Sequence, residues 1–95
     1  MPLYVITFMD KPGMVEARIA ARQHHLAYLD QHADAYRIAG PFLDAQGTMV
    51  GSMLVVEAES EAAARALADN DPYKAAGLFD TCEVRAWRHG FGKLP

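Results

Sequence analysis

The sequence contains one cysteine, Cys82, and no long apolar run. A single thiol cannot form a disulfide within the chain, and it is typical of a protein in the reducing cytosol. Nowhere do about 18 apolar residues follow one another, the length that a membrane-spanning helix needs. Residues 1–9 lack the basic start and the apolar core of a secretory signal peptide. We therefore expect a cytoplasmic protein without a membrane segment and interpret Cys82 as an inert buried thiol.

Several motifs that carry function are also missing. There is no run of lysine or arginine, and the formal net charge is −3, which argues against a nucleic-acid partner. The sequence has no His-x-x-x-His or Cys-x-x-Cys pattern, so no metal site is expected. It has no Gly-x-Ser-x-Gly elbow for a serine nucleophile, and Gly40-Pro41 and Gly51 do not form a phosphate loop. No heme or flavin motif is visible, so we expect no cofactor.

Apolar side chains, in contrast, are abundant. Residues 1–95 make one small domain, and a domain of this size buries only about 60–65% of the surface that its unfolded chain exposes. Yet 52% of the residues are hydrophobic. This is more apolar surface than one small core needs, so we expect a second chain to cover part of it.

The order of elements indicates the fold class. The pattern predicts strands over 3–9, 36–43, 48–57 and 79–88, a long helix over 14–35 and a shorter helix over 61–69. Gly40-Pro41 is expected to bend or bulge the second strand, because proline cannot donate to a β-ladder. Ser60 is a suitable N-cap for the shorter helix, and Asp71-Pro72 begins a further helical turn that Gly77 can close. The order β-α-β-β-α-β predicts a ferredoxin-like α+β fold with an antiparallel sheet.

Two helices can cover only one face of such a sheet. Residue parity along the third and fourth strands places Met49, Met53, Phe79 and Trp87 on the other face. An exposed apolar patch of this kind usually marks an interface. We therefore predict a homodimer packed sheet to sheet, or a higher oligomer built from it.

The long helix carries the residues that suggest chemistry. At about 100° per residue, its apolar residues form one stripe, and Arg22 falls inside it; these apolar residues are Val15, Ile19, Leu26, Leu29 and Ala33. His25 lies roughly 60° around the same face, whereas His24 points almost opposite to Arg22. An inward arginine needs a partner, and a partly buried histidine can exchange a proton near neutral pH. The helix therefore predicts the floor of a small polar site.

The chain also resembles the YciI-like (YCII-related) proteins. The motifs that carry the resemblance are Arg22-Gln23-His24-His25-Leu26, Ala39-Gly40-Pro41, Gly51-Ser52, Asp71-Pro72-Tyr73-Lys74-Ala75-Ala76-Gly77, Leu3-Tyr4-Val5-Ile6 and Val84-Arg85-Ala86-Trp87. The resemblance implies a dimeric α/β barrel and an active site built on His25 and Asp71. It also implies kinship with a dehydrochlorinase of a chlorinated hydroxyhydroquinone, with muconolactone isomerases and with cofactor-free oxygenases.

Each candidate site residue has a structural alternative. His25 is either a general acid/base or a hydrogen-bonded core histidine. Asp71 either orients His25, as the aspartate of a catalytic triad does, or only caps a helix. Arg22 either binds a substrate carboxylate or phenolate or pairs with a core carboxylate, of which Asp71 is one candidate. Ser52 either donates to a substrate oxygen or bonds to backbone, and Tyr73 either lines the pocket or packs.

Three classes of function follow. The first is a small cofactor-independent enzyme, isomerase-, lyase- or dehydrochlorinase-like, that uses His25 and Asp71 on a small anionic or aromatic metabolite. The second is a non-catalytic module that binds or senses a small molecule in the same pocket. The third is a purely structural dimer.

Overall fold

The computed structural model describes residues 1–94. Its elements in chain order are β1 (Leu3–Asp10), α1 (Val15–Gln31), β2 (Tyr36–Leu43), β3 (Met49–Glu57), α2 (Glu61–Asp69), α3 (Pro72–Ala75) and β4 (Phe79–Trp87). The four strands form one sheet in the order β2-β3-β1-β4, and all neighbours are antiparallel. The predicted β-α-β-β-α-β order and the small α+β fold are confirmed. None of the helices in the described chain is long and apolar enough to cross a membrane.

The core lies between the helices and one face of the sheet. Because side chains alternate along a strand, every second residue of the central strands points toward the helices. The buried members of this face are Tyr4, Ile6, Phe8, Leu54, Val56 and Val84. Ala64 and Ala68 of α2 pack directly on them, since small side chains let this helix approach the sheet closely.

Helix α1 differs from its prediction in both length and phase. It ends at Gln31, and a short turn leads to β2, so the helix does not reach Ala35. Its sheet-facing residues are spaced three or four positions apart in the sequence. Two of them, Arg18 and His25, are buried, and both are polar. These sheet-facing residues are Arg18, Ala21, His25 and Tyr28. Ile19 and Leu26, which the prediction turned inward, are 58% and 42% exposed.

The error of phase has a physical reason. The apolar stripe and the stripe that faces the sheet are displaced by one residue, which is about 100° around the helix. Charged residues are almost never fully buried unless they are paired, so nothing in the helix sequence by itself turns Arg18 inward. Its buried partner lies on a strand and cannot be seen in the helix sequence. Tyr28 completes the stripe by donating from its hydroxyl to the carbonyl of Leu67 over 2.8 Å, which ties α1 to α2.

Irregular strand pairing corrects the predicted second face. The register shifts between Met9 and Asp10, and Phe79 consequently lies on the core side, where its ring stacks on Phe8 with centroids 3.8 Å apart. A second shift beside Leu43 places Met49 at the lining of a cavity on the helix side. Of the four predicted outer-face residues, therefore, only Met53 and Trp87 belong to that face, and both are partly exposed.

Strand β2 runs through Gly40-Pro41 without interruption. Gly40 pairs with Met53 and Pro41 pairs with Ser52, while the irregularities lie at the two ends of the strand. Proline is tolerated here because β2 is an edge strand and its outer side needs no ladder partner. No register shift falls at Gly40-Pro41, so the expected bulge is absent there, and β2 pairs with β3 through both residues.

The second half of the helical layer follows the sequence closely. Ser60 accepts a hydrogen bond from the backbone N–H of Ala63 over 3.1 Å and so caps α2. Asp71 caps α3, Pro72 is its first residue, and Gly77 ends the turn with a φ of +74°. This turn packs against α1 and brings Asp71 and Tyr73 to the buried side of that helix.

Candidate active site

A cavity of about 150 Å³ lies between α1 and the β2–β3 half of the sheet. Its apolar wall contains Leu26, Leu29, Ala39, Gly40, Pro41, Met49 and Leu54. Its polar residues are Arg18, Arg22, His25, Ser52 and Tyr73, and all of these except Arg22 are buried. The cavity therefore combines an apolar interior with a few polar groups, which is the usual composition of a small-molecule site.

His25 and Asp71 are in direct contact at one end of the cavity. Nδ1 of His25 lies 2.9 Å from Oδ1 and 3.0 Å from Oδ2 of Asp71, and both side chains are buried. A carboxylate only accepts hydrogen bonds, so its contacts assign the proton of the neutral imidazole to Nδ1. His25 lines the cavity and Asp71 does not. The unprotonated Nε2, on the other side of the ring, is therefore the atom available to a molecule in the cavity.

Asp71 holds its structural position at the same time. Its Oδ1 accepts a hydrogen bond from the backbone N–H of Tyr73 over 2.9 Å, which is the N-cap interaction of α3. One carboxylate thus meets the geometry of both sequence interpretations, the orienting partner and the helix cap. The adjacent histidine, His24, is exposed, as the helical phase of the pair predicts.

The buried cation of the site is Arg18, which sequence reasoning missed. Its Nε donates to Oδ2 of Asp10 over 2.7 Å, and its Nη2 donates to Oδ1 of Asp10 and to Oγ of Ser52, each over 3.0 Å. Arg18 is only 2% exposed. The signal that could have found it is its position seven residues before His25, two turns along the same face.

Arg22 lies one turn after Arg18, at the mouth of the cavity, and is exposed. The prediction that it is the inward cation is wrong. Within residues 1–94 it has no carboxylate at ion-pair distance, so the proposed pair with Asp71 is absent. A cation in this position remains available to an anionic ligand.

Tyr73 connects the two buried side chains of α1, Arg18 and His25. Its ring stacks on His25 with centroids 4.0 Å apart and planes at 13°, and the Arg18 Cζ lies 4.6 Å from its centroid. Since Arg18 and His25 are two helical turns apart, about 10 Å, the ring fits between them. Burial raises the pKa of Tyr73, with smaller opposing effects of Arg18 and Arg22, so its phenol stays protonated at neutral pH.

Ser52 is buried in the wall opposite α1, on β3. Its Oγ accepts from Arg18, and no side-chain or backbone acceptor of residues 1–94 takes its own proton. The expected bond to backbone is therefore absent, and the hydroxyl faces the cavity. Cys82 is only partly buried and packs beside the core, away from the cavity lining; burial raises the pKa of its thiol.

No group of three His, Cys, Asp or Glu side chains in the described part of the chain could hold a metal ion. The polar site consists instead of two buried pairs, His25 with Asp71 and Arg18 with Asp10. The fold and this site define a small α+β protein with a buried histidine–aspartate pair at the wall of an internal cavity.

The chain belongs to the YCII-related domain family, whose sequence profile matches residues 2–88. It is 38% identical over 97 residues to Protein YciI of Escherichia coli, a match that covers 94% of this chain and 99% of that protein. It is 33% identical over 96 residues to an uncharacterized protein of Haemophilus influenzae, covering 93% and 98%. The family resemblance seen in the sequence is therefore confirmed.

Solved structures extend the comparison. The 5-chloro-2-hydroxyhydroquinone dehydrochlorinase of Burkholderia phenoliruptrix, in complex with 2,5-dihydroxybenzoquinone, matches with a TM-score of 0.86 and 38% identity, over 93% of this chain and 95% of that one. A NIPSNAP domain protein from Burkholderia xenovorans matches with a TM-score of 0.54 and 16% identity, over 95% of each chain. The second likeness shows the fold alone.

Proposed function

We propose that this protein is a small enzyme in which His25 is the general acid/base and Asp71 orients it. The observation that carries the proposal is the contact of Nδ1 with both oxygens of the buried Asp71, which leaves Nε2 to the cavity. A buried aspartate in this position fixes the tautomer of the imidazole and stabilises the imidazolium that forms. A positioned base of this kind contributes about 10²–10⁴-fold to a rate.

The size and charge of the cavity indicate the class of substrate. A cavity of about 150 Å³ accepts a single six-membered ring, since an engineered cavity of that volume in another protein binds benzene. Arg22 at the mouth can pair with a carboxylate or phenolate. The likeness to a 5-chloro-2-hydroxyhydroquinone dehydrochlorinase supports a hydroxylated, halogenated ring as the substrate.

Isomerisation and elimination share their first step in this site. Nε2 takes the proton of a ring hydroxyl, and the imidazolium returns a proton to a ring carbon, so an enol becomes its keto tautomer. If that carbon carries chlorine, Nε2 then takes a second hydroxyl proton, and chloride leaves with the electron pair of the C–Cl bond. The sum of the two steps is the loss of HCl, and all proton transfers pass through His25.

Chloride release from 5-chloro-2-hydroxyhydroquinone, followed with a chloride electrode, tests the proposal. We expect His25→Gln to lower kcat by about 10²–10⁴-fold, because the amide cannot exchange a proton at neutral pH. His24→Gln is the matched control, since it makes the same change one residue earlier on the exposed side of α1. An unchanged rate in His25→Gln, or an equal loss in both variants, would refute the assignment.

The same substrate separates the enzyme from a binding or sensor module. A module of that kind would bind 2,5-dihydroxybenzoquinone, and its affinity would fall on Arg22→Ala, but it would release no chloride. The proposal also includes a cytoplasmic location, which the single cysteine supports, and assembly into a homodimer through the outer face of the sheet.

A further inference from the structure

Ser52 has an unused hydrogen-bond donor inside the cavity. Its residue is 2% exposed, and its Oγ accepts from Nη2 of Arg18 over 3.0 Å. A serine hydroxyl has one donor and two acceptor sites. Since Arg18 is a cation and only donates, it occupies an acceptor site and leaves the hydroxyl proton without a partner among residues 1–94. The geometry points to a ligand atom that accepts this proton.

Arg18 is held too firmly to adopt another position. Two of its N–H groups bind the two oxygens of Asp10 in a bidentate pair, and its guanidinium lies over the ring of Tyr73. Bidentate pairs of this kind fix geometry as well as charge. The orientation of Ser52 is thus set by a chain of contacts that begins at the end of β1, outside the cavity lining.

We propose that Arg18 is a positioning residue that directs the Ser52 hydroxyl toward the carbonyl oxygen that the ring carries once the enol has become its keto tautomer. Asp10 balances the charge of Arg18, so this end of the cavity offers a neutral donor, which suits a neutral acceptor oxygen. The acidic hydroxyl of the same ring would then meet His25, which also lines the cavity and lies two helical turns from Arg18 along α1. The substrate class is therefore a small ring whose keto tautomer has both a carbonyl and an acidic hydroxyl group, a refinement that rests on the proposed function.

Binding of 2,5-dihydroxybenzoquinone, measured by titration calorimetry, tests this role without requiring turnover. We expect Ser52→Ala to weaken binding by about tenfold, the effect of one buried hydrogen bond. Arg18→Lys keeps the charge but cannot hold Asp10 and Ser52 together, and we expect a similar loss. In the Ser52→Ala background, Arg18→Lys should change the affinity by less than about twofold, because the group it positions is gone. Arg65→Lys, on the exposed side of α2, is the control.

Three results would overturn the proposal. Unchanged binding by Ser52→Ala would show that the hydroxyl does not meet the ligand. An equal effect of Arg18→Lys in both backgrounds would show that Arg18 acts on the ligand directly or through the fold. Failure of the unaltered protein to bind the quinone at millimolar concentration would show that the ligand class is wrong.

Circular dichroism of each variant first establishes that it folds. If Arg18→Lys does not fold, Asp10→Asn replaces it in the same cycle, since it loosens the guanidinium and leaves Arg18 in place. Its effect on binding must likewise disappear in the Ser52→Ala background. This test is independent of the test of His25. If Arg18→Lys weakens binding equally with and without Ser52, while His25→Gln still lowers chloride release, only the role of Arg18 is refuted. If the effect of Arg18→Lys does require Ser52, while His25→Gln releases chloride at an unchanged rate, only the catalytic assignment of His25 is refuted.

Discussion

The Asp71 side chain makes two different interactions, one with a helix end and one with His25. It accepts from the backbone N–H of Tyr73 and contacts Nδ1 of His25 through the same oxygen, Oδ1. The sequence alone left open whether this aspartate is a helix cap or an orienting partner, because either one explains an aspartate before a proline. In the structure the two are compatible, since the second oxygen also reaches the histidine.

Substitutions at Asp71 should separate these two contributions. Asparagine is as good an N-cap as aspartate, so Asp71→Asn should leave the free energy of unfolding nearly unchanged apart from the lost ionic contact. It should nevertheless lower the rate of proton transfer strongly, because a neutral amide does not stabilise an imidazolium. Asp71→Ala should lose the cap as well and cost about 0.5–2 kcal/mol.

Urea unfolding and chloride release, measured on the same preparations, check this prediction. Equal rates for Asp71→Asn and the unaltered protein would leave Asp71 as a cap only. Equal stabilities of Asp71→Asn and Asp71→Ala would show that the cap contributes little.

At the scale of elements, the strands and the short helices could be predicted almost to the residue, and α1 could not. The N-cap, the small apolar face and the end of helix α2 can all be recognised from neighbouring residues in the sequence. The structure gives this helix the predicted bounds. Helix α1 buries Arg18 and His25, whose partners Asp10 and Asp71 lie on other elements. The inward face of α1 is therefore set by ion pairs with other elements, and the periodicity of the helix sequence does not reveal such pairs.

Bulges limited the prediction of the sheet in the same way. Strict alternation assigns Phe79 and Met49 to the outer face, but each lies beyond a register shift that reverses the side on which the chain continues. A bulge depends on the pairing of two strands, so reading one strand does not show it. Of the candidate site residues, His25, Asp71, Ser52 and Tyr73 lie within the family motifs, and the helical periodicity also indicated His25. Arg18 lies outside those motifs.

Gly51 lies where β3 approaches β1 closely, so a substitution there tests how tightly these two strands pack. A Cβ built on it would lie 2.3 Å from the backbone oxygen of Phe8 and within 3.2 Å of the side chains of Met9 and Phe42. A backbone atom cannot move aside cheaply, so Gly51→Ala should destabilise the protein by about 1–3 kcal/mol or more. Gly40→Ala is the control, because a Cβ there meets no atom within 4 Å.

Thermal unfolding of the two variants gives the answer. Gly40→Ala should melt close to the unaltered protein, with Gly51→Ala well below both. If the two alanine variants melt at the same temperature, β1 and β3 are not packed as closely as the structure has them.

At the scale of the whole molecule, the outer face of the sheet is an apolar surface that lies uncovered in the structure of residues 1–94. Met9, Met53 and Trp87 are 43%, 36% and 39% exposed there, and no helix of the described chain covers this side. Stable homodimer interfaces of this type bury about 2,000 Å² or more in total. We therefore predict that the protein is a dimer at micromolar concentration, joined through this face.

Sedimentation of two charged variants checks the prediction. Met53→Asp places a carboxylate at the middle of the outer face and should shift the protein toward monomer. Ile19→Asp makes a comparable change at an exposed apolar residue on the opposite, helical side, and it should leave the dimer intact. A folded monomer of the unaltered chain at micromolar concentration would contradict the proposed assembly, as would dissociation by Ile19→Asp alone.

Helix α3 is only four residues long, and a helix of one turn is not stable by itself in water. Opening of this turn would move Asp71 away from His25 and release the imidazole from its fixed tautomer. Under the proposed function, the apparent activity would scale with the fraction of molecules in which the turn is closed, as it does with the populated fraction of any competent state. Because the amide proton of Tyr73 is held by Asp71 only in the closed turn, its exchange with deuterium reports the same equilibrium. The exchange rate of this one backbone amide thus measures the fraction of molecules in which Asp71 is in place beside His25.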